Sequence, residues 1–272
     1  MKKLYLNTGG FNTIFNDLKD SFNGELTVND NEYNLTIKSK WAKGTITGKR
    51  FEREMSYMHF DIVFYNDASL SIESFLTSPV FFAYCEDGML THSFGENGNR
   101  KNLKKQQSGI LSNNSAINSV LHFEGFKHTE FSLISIPTAV AAEDENYELA
   151  SQLKEMFTDE SGNYIYVGSG NMKIFEKLKE FRTTSQIGVV KNLLQKSILN
   201  TIVAIEVAQH SYNYITMITP ILDLANKQIE ELKRISSINF GEVFYSIGHL
   251  GKNYFPRLFK ERYPQNSLAK TA

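Results

Sequence analysis

The chain has 272 residues, 41% of them hydrophobic and 12% aromatic, and its formal net charge is −1. This composition predicts a folded globular protein of one large domain or two. Because the net charge is close to zero, the chain as a whole is not attracted electrostatically to nucleic acid or to a membrane. DNA binding would therefore require a local basic patch. Because Cys85 is the single cysteine, an intrachain disulfide and a multi-cysteine zinc site are excluded.

The N-terminus lacks the apolar centre and cleavage site of a secretion signal. No stretch reaches the ~18 uninterrupted apolar residues that span a bilayer. We therefore expect a cytoplasmic protein.

The first part of the chain, 1–170, has the pattern of a β-rich domain. Met58, Phe60, Ile62 and Phe64 alternate with more polar residues, which predicts a half-buried strand. Further predicted strands cover 70–72, 79–84, 120–123, 131–136 and 164–167, with a hairpin turn at 86–88. The segment 97–108 is expected to be a surface loop, and 145–156 an amphipathic helix. Short strands at this spacing predict a sandwich or barrel.

The pattern becomes helical near residue 171, and we interpret 171–219 as a helical dimerisation segment. A first stripe contains Met172, Phe175 and Leu178. A long helix, Gln186–Tyr212, is predicted after a cap at Ser185. Its apolar residues recur at spacings of three and four: Val190, Leu194, Ile198, Ile202 and Ile205. This stripe fits either the core of the same chain or the interface of a homodimer.

The last part, 220–272, is the positively charged part of the chain. From Leu224 to Ala272 there are eight basic and four acidic residues, a net charge of +4. Three helices can be placed here, and the glycine-containing turn Gly248–Gly251 would join the second to the third. A third helix with an apolar back and a basic front is typical of major-groove binding.

The segment 251–263 resembles the recognition helix of AraC-type transcription regulators. The match lies in Phe255, in Leu258-Phe259-Lys260 and in Tyr263. The long helix from Val189 to Tyr212 is also similar to the helix that closes the regulatory domain in the pyochelin-receptor-regulator branch of that family.

The resemblance implies an α+β protein with a β-rich cupin-like sensory domain, a homodimer through Gln186–Tyr212, and a partial C-terminal helix-turn-helix. It also implies a sequence-specific DNA-binding regulator that responds to a small-molecule effector of unknown identity. The residues placed to contact DNA are Lys252, Asn253, Tyr254, Arg257, Lys260 and Arg262. Arg257 is the first candidate for a guanine contact, because its planar fork can meet O6 and N7 together.

Three features depart from the family pattern. The sequence contains one helix-turn-helix unit where family members carry two, and Tyr245 stands where a small residue is usual. Pro256 lies inside the expected recognition helix, where proline costs ~3 kcal/mol unless it falls in the first turn. We therefore place the helix start at Asn253. The alternative is a sensory and dimerisation protein that does not bind DNA and pairs with a full-length regulator.

Sequence motifs give no support for an enzyme, and we expect neither a cofactor nor a metal. The six histidines form no His-x-His pair and no His-Glu-x-x-His helix. Cys85 ends an apolar run, so a role as a small core residue is favoured over a nucleophile. Catalytic residues could still converge from distant positions, and three convergent His or carboxylate ligands would reopen the question.

Overall fold

The computed structural model describes residues 2–6, 10–51, 55–73, 79–113, 117–138, 147–157 and 162–210, and the isolated helical positions 227, 230, 231 and 234. The predicted turn Gly248–Gly251 and the predicted recognition helix lie outside these residues.

Within the described ranges the chain forms thirteen strands and four helices. The strands are β1 (Lys2–Leu6), β2 (Glu25–Asn29), β3 (Glu32–Lys38), β4 (Ala42–Phe51), β5 (Met55–Phe64), β6 (Ala68–Ile72), β7 (Val80–Asp87), β8 (Met89–Phe94), β9 (Lys101–Lys104), β10 (Gln107–Asn113), β11 (Ser119–Phe123), β12 (His128–Ile136) and β13 (Asn163–Ser169). The helices are α1 (Phe11–Phe22), α2 (Tyr147–Met156), α3 (Met172–Arg182) and α4 (Gly188–His210).

The strands form two sheets. The larger sheet has the order β13-β10-β7-β12-β5-β4-β3-β2, and the smaller sheet has the order β1-β6-β11-β8-β9. Neighbouring strands are antiparallel except β1 and β6, which are parallel. The predicted α+β class, dominated by β-sheet, is therefore confirmed, and so are the six strand predictions made for residues 58–167.

The inner face of the larger sheet carries the first hydrophobic core. Phe60, Ile62 and Phe64 of β5 point into it, and the Phe60 ring stacks on Phe131 of β12 with centroids 4.5 Å apart. Because side chains alternate along a strand, Tyr57 and His59 lie on the opposite, outer face of the sheet. This alternation determines which β5 side chains can take part in a site on the outer face.

Helix α1 covers part of the inner face. Its buried residues Phe11, Phe15, Leu18 and Phe22 recur at spacings of four and three, so one stripe of the helix faces the core. The helix ends at Asn23, which adopts a left-handed conformation and donates its backbone N–H to the last turn.

The β7–β8 connection is a tight turn at Gly88. This residue has φ +75°, and a Cβ there would lie 2.1 Å from the carbonyl oxygen of His128, so only glycine fits. The turn is shorter than predicted, because Glu86 and Asp87 still belong to β7. The loop predicted at 97–108 is wrong in its second half, where the chain forms β9 of the smaller sheet and the start of β10 of the larger sheet instead.

Helices α2, α3 and α4 pack on the outer face of the larger sheet and form a second core. This core joins Phe82 and Ile134 of the sheet to Leu178 of α3 and Ile202 of α4. The helix α4 begins at Gly188, three residues after the predicted cap Ser185. Among the described residues, no helix is long and apolar enough to cross a membrane.

Candidate functional site

A polar cleft lies between the outer face of strands β2 to β5 and the helices α3 and α4. Its volume is about 340 Å³, within the range of small-molecule pockets. Most of the lining residues have polar or charged side chains, and they come from six elements: Thr27, Asn29, Glu32, Tyr33, Asn34, Thr47, Gly48, Lys49, Tyr57, His59, Phe181, Arg182, Lys191 and Gln195. Hydrogen-bonding groups therefore surround a space large enough for a small polar molecule.

One end of the cleft contains two lysines joined by a carboxylate. Glu32 of β3 accepts a hydrogen bond from Lys49 of β4 through Oε1 and another from Lys191 of α4 through Oε2, both at 2.7 Å. Lys49 also donates to the side-chain oxygen of Gln195 at 2.6 Å. These contacts connect the β2–β3 hairpin, β4 and α4 at one point.

Burial governs the electrostatics at this end. It lowers the pKa of Lys49, although the hydrogen bond to Glu32 acts against it. For Glu32, burial acts to raise the pKa, but the hydrogen bonds from Lys191 and Lys49 outweigh it and the pKa is lowered. The Lys49 side chain is only 5% exposed, so its ammonium requires a nearby anion.

The other end of the cleft is organised around Arg182 of α3. Its guanidinium donates to both oxygens of Glu86 on β7, at 2.7 and 2.5 Å. The Ser132 hydroxyl donates to the same carboxylate at 2.7 Å and lies 3.0 Å from the Tyr57 hydroxyl. A paired, hydrogen-bonded charge of this kind fixes α3 against the sheet.

The pKa values at this end follow from burial and charge. Burial acts to raise the pKa of Glu86, yet the hydrogen bonds from His59 and Arg182 lower it to about 2. Burial raises the pKa of Tyr57 to about 12. The Glu86 carboxylate therefore remains charged, and the Tyr57 hydroxyl remains protonated, at neutral pH.

His59, Glu86 and Glu130 converge beside Arg182. Ligand atoms of these three residues lie within 4.8 Å of one another, an arrangement that could hold a metal ion. Arg182 already engages both oxygens of Glu86, and one of its nitrogens lies 4.0 Å from Glu130. A metal ion would have to displace this guanidinium, which in this conformation is held by Glu86 and lies beside Glu130.

The space between the sheets, where a cupin-like interior would hold a ligand, is packed with apolar side chains. His92 is fully buried and paired in register with the core residue Leu121, and its ring nitrogens have no hydrogen-bond partner among the described residues. Burial lowers the pKa of His92 to about 4, so this histidine is neutral. The cleft outside the sandwich is thus the better candidate site.

The predicted DNA-contacting residues all lie outside the described residues: Lys252, Asn253, Tyr254, Arg257, Lys260 and Arg262. Their role stays a prediction, as does the helix start at Asn253. The described positions 227, 230, 231 and 234 are helical, and the three helices expected in this segment stay a prediction.

The apolar stripe of α4 is buried within the chain. Ile198 and Ile202 belong to the second core and Ile205 packs against it, whereas Leu194 is buried outside that cluster and Val190 is half-buried. The large apolar side chains exposed near the start of the helix are Ile187, Val189 and Leu193. A homodimer through this helix stays a prediction, and it would have to use this exposed end.

Sequence reasoning does not find the cleft residues. The β5 alternation does place Tyr57 and His59 on one face, but the turn predicted at 86–88 includes Glu86. Lys49 and Gln195, which share a hydrogen bond, are 146 residues apart. No local pattern signals such a contact.

No protein family and no curated protein matches the chain. Among solved structures it is similar to a variant of apo ToxT from Vibrio cholerae, at 8% identity and a TM-score of 0.38, over 57% of this chain and 56% of that one. It is also similar to EutQ from Clostridium difficile, at 11% identity and a TM-score of 0.25, over 36% of this chain and 71% of that one.

A further similarity is to a mutant of oxalate decarboxylase OxdC from Bacillus subtilis, at 11% identity and a TM-score of 0.29, over 53% of this chain and 43% of that one. The chain thus spans about half the length of this ToxT structure and less than half of OxdC. Similarities at these scores carry no argument about the function of this chain.

Proposed function

We propose that this chain is a transcription regulator of the AraC type, whose β-rich domain binds a small polar effector in the cleft. The observation that carries the proposal is the cleft, where side chains from the sheet and from α3 and α4 surround a space of about 340 Å³. Sites of this size with convergent polar groups are typical of small-molecule binding.

Helix α4 could transmit the effect of a bound effector to the C-terminal segment 220–272. Lys191 and Gln195 of α4 line the cleft, and the helix runs to His210, which precedes the segment 220–272 in the sequence. An effector that contacts Lys191 therefore acts on the element that precedes the predicted DNA-binding residues. A ligand shifts such an equilibrium only by its differential affinity for the two states.

The proposal assigns DNA binding to the segment 220–272, because its part from Leu224 to Ala272 has a net charge of +4 and it resembles a recognition helix. It assigns no catalysis to His59, Glu86 and Glu130, because Arg182 engages both oxygens of Glu86.

DNA binding is tested by fluorescence anisotropy of the full chain with labelled DNA from upstream of its own gene, at about 50 and about 200 mM salt. We expect binding that weakens with salt, because cations that meet phosphates release counterions. Arg257→Ala should weaken binding by about ten-fold or more, whereas Lys227→Ala removes the same charge outside the recognition-helix segment and should have a smaller effect. Absence of binding at the lower salt would favour the alternative, a sensory and dimerisation protein that pairs with a full-length regulator.

A further inference from the structure

The side-chain carboxylate of Glu32 lies between the ammonium groups of two lysines. Its two oxygens accept hydrogen bonds from Lys49 and Lys191, which come from different elements and converge on one point of the cleft. Two ammonium groups that meet one carboxylate also provide the geometry that would hold the carboxylate or phosphate group of a small molecule.

The side chain of Lys49 is held in place by its neighbours. Gln195 presents its side-chain oxygen to Lys49 at 2.6 Å, and its amide nitrogen donates to the backbone oxygen of Phe181 at 3.0 Å. The amide is thus held in one orientation, between α3 and the Lys49 ammonium. Lys49 has little room to move, since its side chain is 5% exposed.

Glu32 lies on the open side of the contact. Its side chain is 37% exposed, and it is the first residue of β3, directly after the β2–β3 turn. Rotation of Glu32 into solvent would return its carboxylate to water at little cost. The same movement would leave Lys49 buried without a counterion, which is strongly unfavourable unless another anion replaces Glu32.

We infer that the cleft binds a small molecule with a carboxylate or phosphate group, which displaces Glu32 from Lys49 and Lys191. Glu32 is then an internal competitor that holds the site in the absence of ligand. A neutral ligand is a poor replacement, because it would leave the buried Lys49 ammonium without a counterion. The remainder of the ligand lies against Asn34 and Thr47, which offer hydrogen bonds from the sheet.

This inference rests on the proposed binding function of the cleft and adds the ligand class and the displaced group. It does not depend on DNA binding. A chain that binds no DNA can therefore still bind the anion, and the two proposals can fail separately.

The test is isothermal titration calorimetry of the full chain with two anionic probes and their neutral partners. Succinate is paired with succinamide, and glycerol 3-phosphate with glycerol. We expect one or both anions to bind and neither neutral partner to do so. The tighter of the two anions identifies the group as carboxylate or phosphate.

Three variants make the test specific. Glu32→Gln removes the competing charge and should tighten binding of the anion by about ten-fold, since hydrogen bonds to charged groups are the strong ones. Glu25→Gln removes the same charge from an exposed position on the same hairpin and should leave the affinity unchanged. Lys191→Met should weaken binding, and its side chain is exposed enough for the substitution to leave the fold intact.

Circular dichroism checks the fold of each variant. Equal affinity of the wild type, Glu32→Gln and Glu25→Gln for the anion would overturn the inference. Binding of succinamide as tight as that of succinate would also overturn it, and so would the absence of anion binding in both the wild type and folded Glu32→Gln.

Discussion

The carboxylate of Glu206 on α4 accepts a hydrogen bond of 2.9 Å from the hydroxyl of Ser108 on β10. Glu206 is 1% exposed, and its second oxygen has no hydrogen-bond partner among the described residues. Burial, with Glu206 as the next cause, raises the pKa of the neighbouring Tyr84 well above its ordinary value. The contact ties the second half of α4 to the sheet.

We expect Ser108→Ala to lower the free energy of unfolding by about 1–3 kcal/mol, because it leaves a buried carboxylate oxygen without its donor. In a Glu206→Gln background the same substitution should cost less, since the buried group is then uncharged. Urea unfolding of the four chains of this double-mutant cycle measures the coupling. Strictly additive effects of the two substitutions would contradict a direct Ser108–Glu206 bond.

The Arg182–Glu86 pair gives a second stability prediction. Arg182→Met leaves the Glu86 carboxylate buried without its partner, so the free energy of unfolding should fall by about 3 kcal/mol. The double variant Arg182→Met/Glu86→Gln should recover a large part of this loss. As a control, Lys3→Met breaks the exposed Lys3–Glu96 pair and should have no measurable effect. If Arg182→Met and Lys3→Met behaved alike in urea, the pair would not hold α3 on the sheet.

Three histidines should titrate in a fixed order. The hydrogen bonds from His128 to Asp61 and Asp87 raise its pKa, whereas burial lowers the pKa of His122 and holds that of His92 at about 4. The side-chain proton resonances of His128, His122 and His92, followed by NMR from acidic to alkaline pH, should therefore show midpoints above, below and far below the ordinary value of 6.5.

The sign of the His128 contribution to stability follows from its raised pKa. Since the folded state binds the proton more tightly, the contribution is fully present below pH 6.5 and is lost as the pH rises through the folded-state pKa. His128→Gln should therefore reduce stability at about pH 5.5 more than at about pH 9. Asp61→Asn should lower the His128 midpoint, and a midpoint that stayed in place would show that Asp61 does not act on His128.

The predicted homodimer can be tested with two substitutions in α4. Val189 is 73% exposed near the start of the helix, whereas Ile198 lies in the second core. Val189→Asp should weaken a dimer that uses this end and leave the protomer folded. Ile198→Asp should instead unfold the protomer, because it buries an unpaired charge. Sedimentation equilibrium and circular dichroism separate these effects, and a wild-type chain that is monomeric throughout would make the dimer prediction wrong.

Local periodicity predicts much of the described fold. The alternation along Met58–Phe64 indicates the strand β5 and its two faces, and the stripe at Met172, Phe175 and Leu178 indicates α3. In α4 the same reasoning predicts the helix and leaves two environments open, because an apolar stripe looks the same in a core and in a dimer interface. The structure buries Leu194 and places Ile198 and Ile202 in the second core.

The first fifty residues contain a further local signal. Phe11, Phe15, Leu18 and Phe22 have the spacing of an amphipathic helix, and they form the buried face of α1. The polar turn between Asn29 and Glu32 likewise indicates the β2–β3 hairpin that positions Glu32.

The cleft itself could not be predicted from the sequence. Its charged contacts depend on which strands are neighbours and in which register, and on how α3 and α4 lie across them. Glu32 and Lys191 are 159 residues apart, so their contact exists only after the helices have packed on the sheet. A contact between such distant residues produces no periodic sequence pattern in either segment.

The most direct test of the proposed link between the cleft and DNA binding is the DNA affinity of the full chain with and without the tighter of succinate and glycerol 3-phosphate. We predict that a saturating concentration of the anion changes the dissociation constant for upstream DNA by at least about five-fold, and that DNA changes the affinity for the anion by the same factor. Lys191→Met should abolish this effect. An unchanged DNA affinity in the presence of bound anion would contradict the account.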